Sequence, residues 1–170
     1  KVENIIIGGG MANTFLLASG KQIGISLCEP TLIHIAQDII EKAEILGCKI
    51  HLPNDVVTSK TLDGLNKIRS SDVNNCPPDE MIFDCGEKSV EKYLNVINLS
   101  KTIVWNGPLG VFEKEPFHLG TERLAKFIAK KTIDGFLNSV AGGGDTVAAL
   151  NKYQLSHQLS YVSTAGGAFL

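Results

Sequence analysis

Short apolar runs alternate along the chain with longer segments in which apolar side chains recur every three or four positions. Short aliphatic runs are typical of buried strands, and the longer spacing is typical of helices that pack one face on a sheet. The runs predict strands over residues 2–7, 49–52, 81–85, 102–105, 136–141 and 159–163. The spacing predicts helices over residues 11–18, 31–46, 88–99, 120–131 and 145–151. Residues 54–80 are predicted to be a polar, turn-rich connection.

Alternation of strands with helices indicates a mostly parallel sheet flanked by helices and joined by right-handed crossovers. The predicted fold is therefore α/β, a Rossmann-like three-layer αβα sandwich with a mostly parallel sheet. The 170 residues are enough for one domain with a sizeable core, and 44% of them are hydrophobic.

Three of the predicted strands end in a cluster of glycines, at residues 8–10, 142–144 and 166–167. Glycine at the end of a strand lets backbone N–H groups approach a ligand closely. Ligands of open parallel sheets bind at the carboxyl ends of the strands. Three such turns in one sheet therefore predict a site for the phosphates of a nucleotide, held together with a metal.

The second glycine cluster continues directly into Asp145 and Thr146 and opens a predicted helix. A phosphate would rest on the N-terminal amides of this helix, where the helix dipole favours negative charge, and Thr146 could donate its hydroxyl. Asp145 fits beside a phosphate when a hard cation such as magnesium bridges the two. The alternative is that Asp145 is an N-cap after a tight glycine turn, and the residues alone leave both readings open.

Residues 105–113, Trp-Asn-Gly-Pro-Leu-Gly-Val-Phe-Glu, form a second candidate constellation. They leave a predicted strand through a turn that proline and glycine favour, so Asn106 and Glu113 could converge on one polar ligand. A carboxylate that accepts from paired hydroxyls, and an amide that both donates and accepts, would suit a sugar. Alternatively, Asn106 caps the turn and Glu113 is a solvated surface residue.

Charge and missing motifs narrow the function classes. The net charge of −2, with both signs interspersed, gives no basic patch for nucleic acid or for a membrane surface. The sequence contains no G-x-x-x-x-G-K-[ST], which argues against a Walker-type phosphate loop. It contains no G-x-G-x-x-G either, which weakens the hypothesis of a nicotinamide-dependent oxidoreductase.

The cysteines and the ends of the chain indicate compartment and completeness. Cys28, Cys48, Cys76 and Cys85 show no C-x-x-C spacing, so free thiols in a reducing cytoplasm are expected. No apolar stretch approaches the length of a membrane span, and no signal peptide is visible. Because Lys1 is not a start methionine and the last residues are apolar, we expect a chain cut at both ends from something longer.

Six motifs occur in one order that identifies a resemblance. They are Gly-Gly-Gly-Met-Ala at 8–12, Leu-Pro-Asn-Asp-Val-Val at 52–57, Asp-Glu-Met-Ile-Phe-Asp-Cys-Gly at 79–86, the run at 105–113, Gly-Gly-Gly-Asp-Thr at 142–146 and Ser-Thr-Ala-Gly-Gly-Ala at 163–168. Over residues 1–170 the chain resembles the C-terminal, nucleotide-binding domain of phosphoglycerate kinase, truncated at both ends. The resemblance implies a glycolytic phosphotransferase that moves a phosphoryl group between 1,3-bisphosphoglycerate and ADP, with Mg2+ and ADP or ATP bound.

The resemblance also implies where the base and the sugar of the nucleotide would bind. The adenine slot would be lined by Gly9, Gly10, Leu27 and Phe83. Plain core packing is the alternative for the two large apolar side chains of that set. The ribose and its neighbouring phosphate would be held by Asn106 and Glu113, with Glu113 on the ribose hydroxyls.

The implied phosphate site uses the second and third glycine turns. Gly143, Gly144 and Thr146 would cradle the phosphates, and Asp145 would engage the magnesium that comes with the nucleotide. Gly144 and Gly167 would be catalytic, because they would turn backbone N–H groups toward the transferring phosphoryl group.

The family resemblance finally implies a partner domain outside this chain. That domain is basic, N-terminal and substrate-binding, it carries the catalytic arginine, and a hinge closes the two halves of a monomeric enzyme. The chain alone is therefore expected to be inactive. The rival hypothesis is a non-catalytic nucleotide-binding module with no transferase activity in any context.

Overall fold

The computed structural model describes residues 2–63, 67–163 and 165. Its strands are β1 (Asn4–Ile6), β2 (Lys49–His51), β3 (Asp55–Ser59), β4 (Arg69–Asp72), β5 (Met81–Cys85), β6 (Thr102–Trp105), β7 (Asn138–Ala141) and β8 (Tyr161–Val162). Its helices are α1 (Gly9–Ala18), α2 (Ile33–Ile45), α3 (Glu87–Asn98), α4 (Leu119–Ile133) and α5 (Gly144–Lys152). Short 3-10 turns lie at Pro30–Leu32, Val73–Asn75 and Ser156–Gln158.

Parallel strands carry the glycine turns. β1 pairs with β2 in parallel, with Ile5 opposite Ile50. β7 lies between β6 and β8, also in parallel, and Ala141 of β7 is opposite both Trp105 and Val162. Helices connect these strands, so the prediction of an α/β fold with mostly parallel pairing is confirmed.

The largest core cluster lies between the β6–β7 pair and helices α3, α4 and α5. Its central side chains, Tyr93, Ile97, Ile128 and Leu150, are at most 2% exposed. Two smaller clusters surround α1, which packs on α2 on one side and on β3 on the other. The fold thus buries apolar faces of helices on both groups of parallel strands, and this holds the strand ends in place.

Residues 54–80 contain two strands, so the prediction of a turn-rich connection there is wrong. β3 is the central strand of an antiparallel sheet, between β4 and β5. Two of its buried polar side chains have hydrogen-bond partners: Thr58 Oγ1 donates to Glu80 Oε2 at 2.6 Å, and Ser89 N donates to Asp55 Oδ1 at 2.8 Å. Buried polar groups with such partners cost little, so hydropathy does not indicate this strand.

The helices and the cysteines can be compared with the sequence predictions on membrane spans and thiols. In the described part of the chain, each helix is too short or too polar to cross a bilayer. All four cysteines are free, and Cys76 and Cys85 are buried.

Strands β1 and β6 border one common space. Among the described strands, β1 pairs only with β2, and β6 pairs only with β7. Residues of both β1 and β6 line a cavity of about 1650 Å³. Ile5 and Val104, one on each strand, are 37% and 56% exposed. The carboxyl end of β1 leads into the first glycine cluster, and the carboxyl end of β6 leads into residues 105–113.

Candidate functional site

Residues 105–113, here called the bridging segment, connect the first two glycine turns in space. The segment leaves β6 at Trp105, whose indole Nε1 donates to Gly107 O at 2.7 Å. Its far end is held by the last residue of α5, because Lys152 Nζ donates to Phe112 O at 2.7 Å. The segment therefore starts on one strand and is anchored again on the helix that follows the next strand.

The first glycine turn packs directly on the bridging segment. Gly9, the first residue of α1, has φ +60° and its N–H donates to Leu109 O at 2.9 Å. A Cβ on Gly8 would lie 2.6 Å from Leu109 Cδ2 and 3.1 Å from Leu109 Cα. The positive φ favours glycine at position 9, and the close approach to Leu109 favours glycine at position 8.

The second glycine turn contacts the same segment from the other side. Gly143 has φ +90°, and a Cβ on it would overlap Asn106 Oδ1. Thr146, fully buried, accepts a hydrogen bond on Oγ1 from Gly107 N at 2.6 Å. The hydroxyl that was predicted to serve a phosphate thus already joins the second turn to the bridging segment.

The start of α5 has the properties of an anion site. The first helical N–H bond is that of Val147 to Gly143 O, so the N–H groups of Gly144, Asp145 and Thr146 have no acceptor within the helix. Among the described residues, a Cβ on Gly144 would meet nothing within 4 Å, so there is open space beside this glycine. Gly143 occupies the N-cap, so the alternative of an N-cap role for Asp145 is wrong.

The carboxylate of Asp145, in the first turn of α5, could bind a cation that is already bound to a phosphate ligand. Asp145 is exposed in the first turn of α5. Over the described ranges, three or more histidine, cysteine or acidic side chains never gather closely enough to hold a metal by themselves. Magnesium accepts one carboxylate when phosphate oxygens and water fill its other positions, so Asp145 fits a metal that arrives with a nucleotide.

Six of the predicted site residues line the cavity of about 1650 Å³. They are Gly9, Gly10, Leu27, Phe83, Asn106 and Asp145. Three others, Gly143, Gly144 and Thr146, lie next to it at the start of α5. Gly167 lies outside the described residues, so its predicted role has no structural description.

The two apolar residues predicted for the adenine slot differ in their surroundings. Leu27 is 79% exposed, which is against the alternative of core packing for this residue. Its Cδ2 would lie 3.7 Å from a Cβ on Gly10, and its carbonyl accepts from Asn13 Nδ2 at 2.9 Å. Phe83 is half-buried and packs against Phe117, with ring centroids 4.8 Å apart.

Glu113 lies at the far end of the bridging segment and is exposed. It does not belong to the cavity lining that includes Asn106, so the two side chains do not meet on one wall. Burial, together with the carboxylates of Glu122, Asp84 and Glu113, raises the pKa of Tyr153 to about 12. This places Glu113 near the residue that follows α5.

Sequence reasoning missed Asp84, the most deeply placed ionisable group beside the segment. It is 3% exposed, and its oxygens accept from Cys85 N and Gly120 N, both at 2.8 Å. Burial raises the pKa of Asp84 to about 7, and these two hydrogen bonds oppose the rise. A single aspartate within an apolar run gives no periodic signal, so only the fold reveals it.

Comparisons with known proteins point to one family. Residues 1–170 match the family model described as phosphoglycerate kinase. Phosphoglycerate kinase of Zymomonas mobilis subsp. mobilis is 55% identical over 100% of this chain, and that of Novosphingobium aromaticivorans is 52% identical over 100%. In both cases this chain spans 43% of the relative's length.

Two solved structures extend the comparison to three dimensions. The structure of phosphoglycerate kinase from Coxiella burnetii aligns with a TM-score of 0.94 at 46% identity, over 99% of this chain and 42% of that chain. Phosphoglycerate kinase from Pyrococcus horikoshii OT3 aligns with a TM-score of 0.77 at 29% identity, over 98% of this chain and 41% of that chain.

Proposed function

The chain belongs to the phosphoglycerate kinase family, and on that premise we propose that it is the C-terminal, nucleotide-binding domain of such an enzyme. Because the chain spans 43% of its curated relatives, the activity of the whole enzyme is part of the proposal. The whole enzyme would move a phosphoryl group between 1,3-bisphosphoglycerate and ADP during glycolysis, in the cytoplasm. A separate N-terminal domain would bind the phosphoglycerate side and supply the catalytic arginine.

One observation carries this proposal: the bridging segment contacts both glycine turns at the carboxyl ends of parallel strands. Gly9 N donates to Leu109 O at 2.9 Å on one side, and Gly107 N donates to Thr146 Oγ1 at 2.6 Å on the other. An extended ligand lying along the segment would meet both turns at once. A nucleotide has this form, with an apolar base at one end and phosphates at the other.

The phosphates would bind at the start of α5. The N–H groups of Gly144, Asp145 and Thr146, which have no acceptor within the helix, and the helix dipole favour a polyanion there. Asp145 would hold the magnesium ion of the nucleotide, which supplies positive charge to the phosphate oxygens when it is bound. The glycine turns contain no lysine or arginine, so further positive charge at the migrating group would come from the other domain.

The base would lie toward the first glycine turn, and the ribose would lie along the bridging segment. Gly9 and Gly10 would let the flat base approach the backbone, with Leu27 and Phe83 as its apolar walls. Asn106, exposed beside Gly143, would bind the sugar or the adjoining phosphate. Glu113 would accept from the ribose hydroxyls. The amides of Gly144 and Gly167 would orient the transferring phosphoryl group.

Calorimetric titration with ADP in the presence and absence of magnesium tests the proposal. The parent chain should bind Mg-ADP more tightly than metal-free ADP, and Asp145→Asn should remove most of that difference. Asp38→Asn, an exposed aspartate on α2 outside the cavity lining, is the matched control and should keep the difference.

The outcomes separate the hypotheses. If the parent gives neither heat nor thermal protection at millimolar nucleotide, the nucleotide site is refuted. If Asp145→Asn keeps the full magnesium dependence, the assignment of Asp145 is refuted. Nucleotide binding without phosphoryl transfer in the complete polypeptide would favour a non-catalytic nucleotide-binding module.

A further inference from the structure

A buried carboxylate touches three elements that meet behind the proposed nucleotide site. Asp84 lies near the end of β5, its Oδ1 accepts from Cys85 N, and its Oδ2 accepts from Gly120 N at the start of α4. We propose that Asp84 is a positioning residue: it holds the bridging segment against the start of α4 and so sets where Asn106 and Glu113 face a ligand. The inference about the ligand rests on the proposed function, whereas the inference about the segment does not.

The carboxylate fits against the segment only because two glycines face it. A Cβ on Gly110, in the middle of the bridging segment, would overlap the carboxylate of Asp84. A Cβ on Gly120 would overlap it as well. Glycine at both positions therefore lets the backbones of the segment and of α4 approach the same buried carboxylate.

Further hydrogen bonds connect β5, the bridging segment and α4. Val111 N donates to Phe83 O at 2.8 Å, next to Asp84 on β5. Leu109 N donates to Thr121 Oγ1 at 3.0 Å, next to Gly120 on α4. The middle of the segment is thus attached both to the strand and to the helix that Asp84 joins. A shift of the start of α4 would therefore move Leu109 with it, while Val111 stays attached to β5.

The position of Asp84 links this junction to the ligand-facing residues. Asn106 precedes Gly110 by four residues, and Glu113 follows it by three. Both side chains are exposed, so their places are set by the backbone between them. A full charge in this interior costs free energy, as the raised pKa of Asp84 indicates, and ionisable groups kept at such a cost are concentrated at functional sites.

A second aspartate provides a matched control. Asp55 on β3 is also buried, and its carboxylate accepts from Lys88 N at 3.1 Å and Ser89 N at 2.8 Å, at the start of α3. It therefore joins a strand to the start of a helix, as Asp84 does, but it is not part of the cavity lining or of the bridging segment. Asp55→Asn reports what such a junction contributes to folding alone.

The experiment compares Asp84→Asn with Asp55→Asn at pH 8 and measures Mg-ADP affinity, stability and the emission of Trp105. Trp105 is the single tryptophan and begins the bridging segment, so its emission reports on the segment without any ligand. We expect Asp84→Asn to shift Trp105 emission in the folded protein and to weaken Mg-ADP binding at least about tenfold, since small misplacements of binding groups have such effects. Asp55→Asn should leave both readouts at the parent values.

The two readouts distinguish the failure of each claim. If the parent binds no nucleotide, the proposed function fails, but a Trp105 shift confined to Asp84→Asn would still support the positioning role. If Asp84→Asn leaves Trp105 emission unchanged, or if both variants change it equally, the positioning role is overturned. If emission shifts while Mg-ADP affinity stays at the parent value, the link from Asp84 to the ligand-facing residues is overturned.

Discussion

Replacing Asp84 by asparagine should abolish a pH-dependent loss of stability that this one group causes. Burial raises its pKa from 3.8 to about 7 in the folded protein. Between these values the folded chain keeps a proton on Asp84 that the unfolded chain has released, so the free energy of unfolding falls as pH rises. The rise of the pKa from 3.8 to about 7 corresponds to about 4 kcal/mol in the free energy of unfolding. This free energy is lost as the pH rises from roughly 4 to 7, and the loss stays constant at higher pH.

The assay is chemical denaturation followed by Trp105 fluorescence at a series of pH values from 4.5 to 8 for parent and variant, a range chosen to span most of the window of roughly pH 4 to 7. The difference between their unfolding free energies should change in favour of Asp84→Asn as pH rises. Burial and, to a lesser extent, the Asp84 carboxylate raise the pKa of Cys85 and of Tyr153, so both side chains stay protonated throughout this pH range in the folded parent.

A control separates burial from titration. Ser139 is fully buried and uncharged, and its Oγ bonds with Thr132 Oγ1 at 2.8 Å. Ser139→Ala should therefore lower stability by a similar amount at every pH. Parallel stability curves for the parent and Asp84→Asn would refute the reasoning, because they would mean that Asp84 has the same proton affinity in the folded and unfolded chains.

Three further results are expected. Gly143→Ala should destabilise the chain by about 2 kcal/mol because of its unfavourable φ, and it should weaken Mg-ADP binding because the new Cβ displaces the side chain of Asn106. Gly135→Ala, at φ +75° with nothing described within 4 Å of the new Cβ, should cost a similar amount in thermal denaturation but leave Mg-ADP binding unchanged; equal losses of binding in both variants would rule out the role of Asn106. Glu113→Gln should weaken ADP binding by about 1.5–3 kcal/mol and reduce the preference for ADP over its 2′-deoxy analogue; unchanged discrimination would exclude the ribose contact. The purified chain should show no phosphoglycerate kinase turnover in a coupled assay, because in-line transfer needs an acceptor and cations opposite the nucleotide; robust turnover would contradict the proposal.

The helices and strands with a clear hydropathy period could be predicted from the sequence. The small errors in their predicted ends have a physical cause. All five helices and the six predicted strands occur within two residues of their predicted ends. α1 and α5 begin earlier than predicted because glycines, Gly8 and Gly143, are their N-caps in place of a polar side chain. Glycine clusters at strand ends also located the regions that the bridging segment joins, while the binding roles of these residues stay predictions.

What sequence reasoning missed depends on partners that are distant along the chain. β3 has buried polar residues whose hydrogen bonds reach Glu80 and Ser89, more than 20 residues away. Asp84 acquires its role only when Gly110 and Gly120 pack on it. Neither feature produces a periodic hydropathy pattern. A polar group can be buried when it has a hydrogen-bond partner, and here the tertiary fold brings that partner from a distant part of the chain.

The one-sided pairing of β1 with β2, and of β6 with β7, has a consequence for the chain in solution. Each strand offers one edge that no described strand covers, and Ile5 and Val104 make those edges partly apolar. Uncovered edges of this kind are templates for strands from other molecules. We expect purified chain to self-associate at a rate that rises steeply with concentration. Val104→Lys, a charge placed on the β6 edge, should slow this association in light scattering without changing the fold.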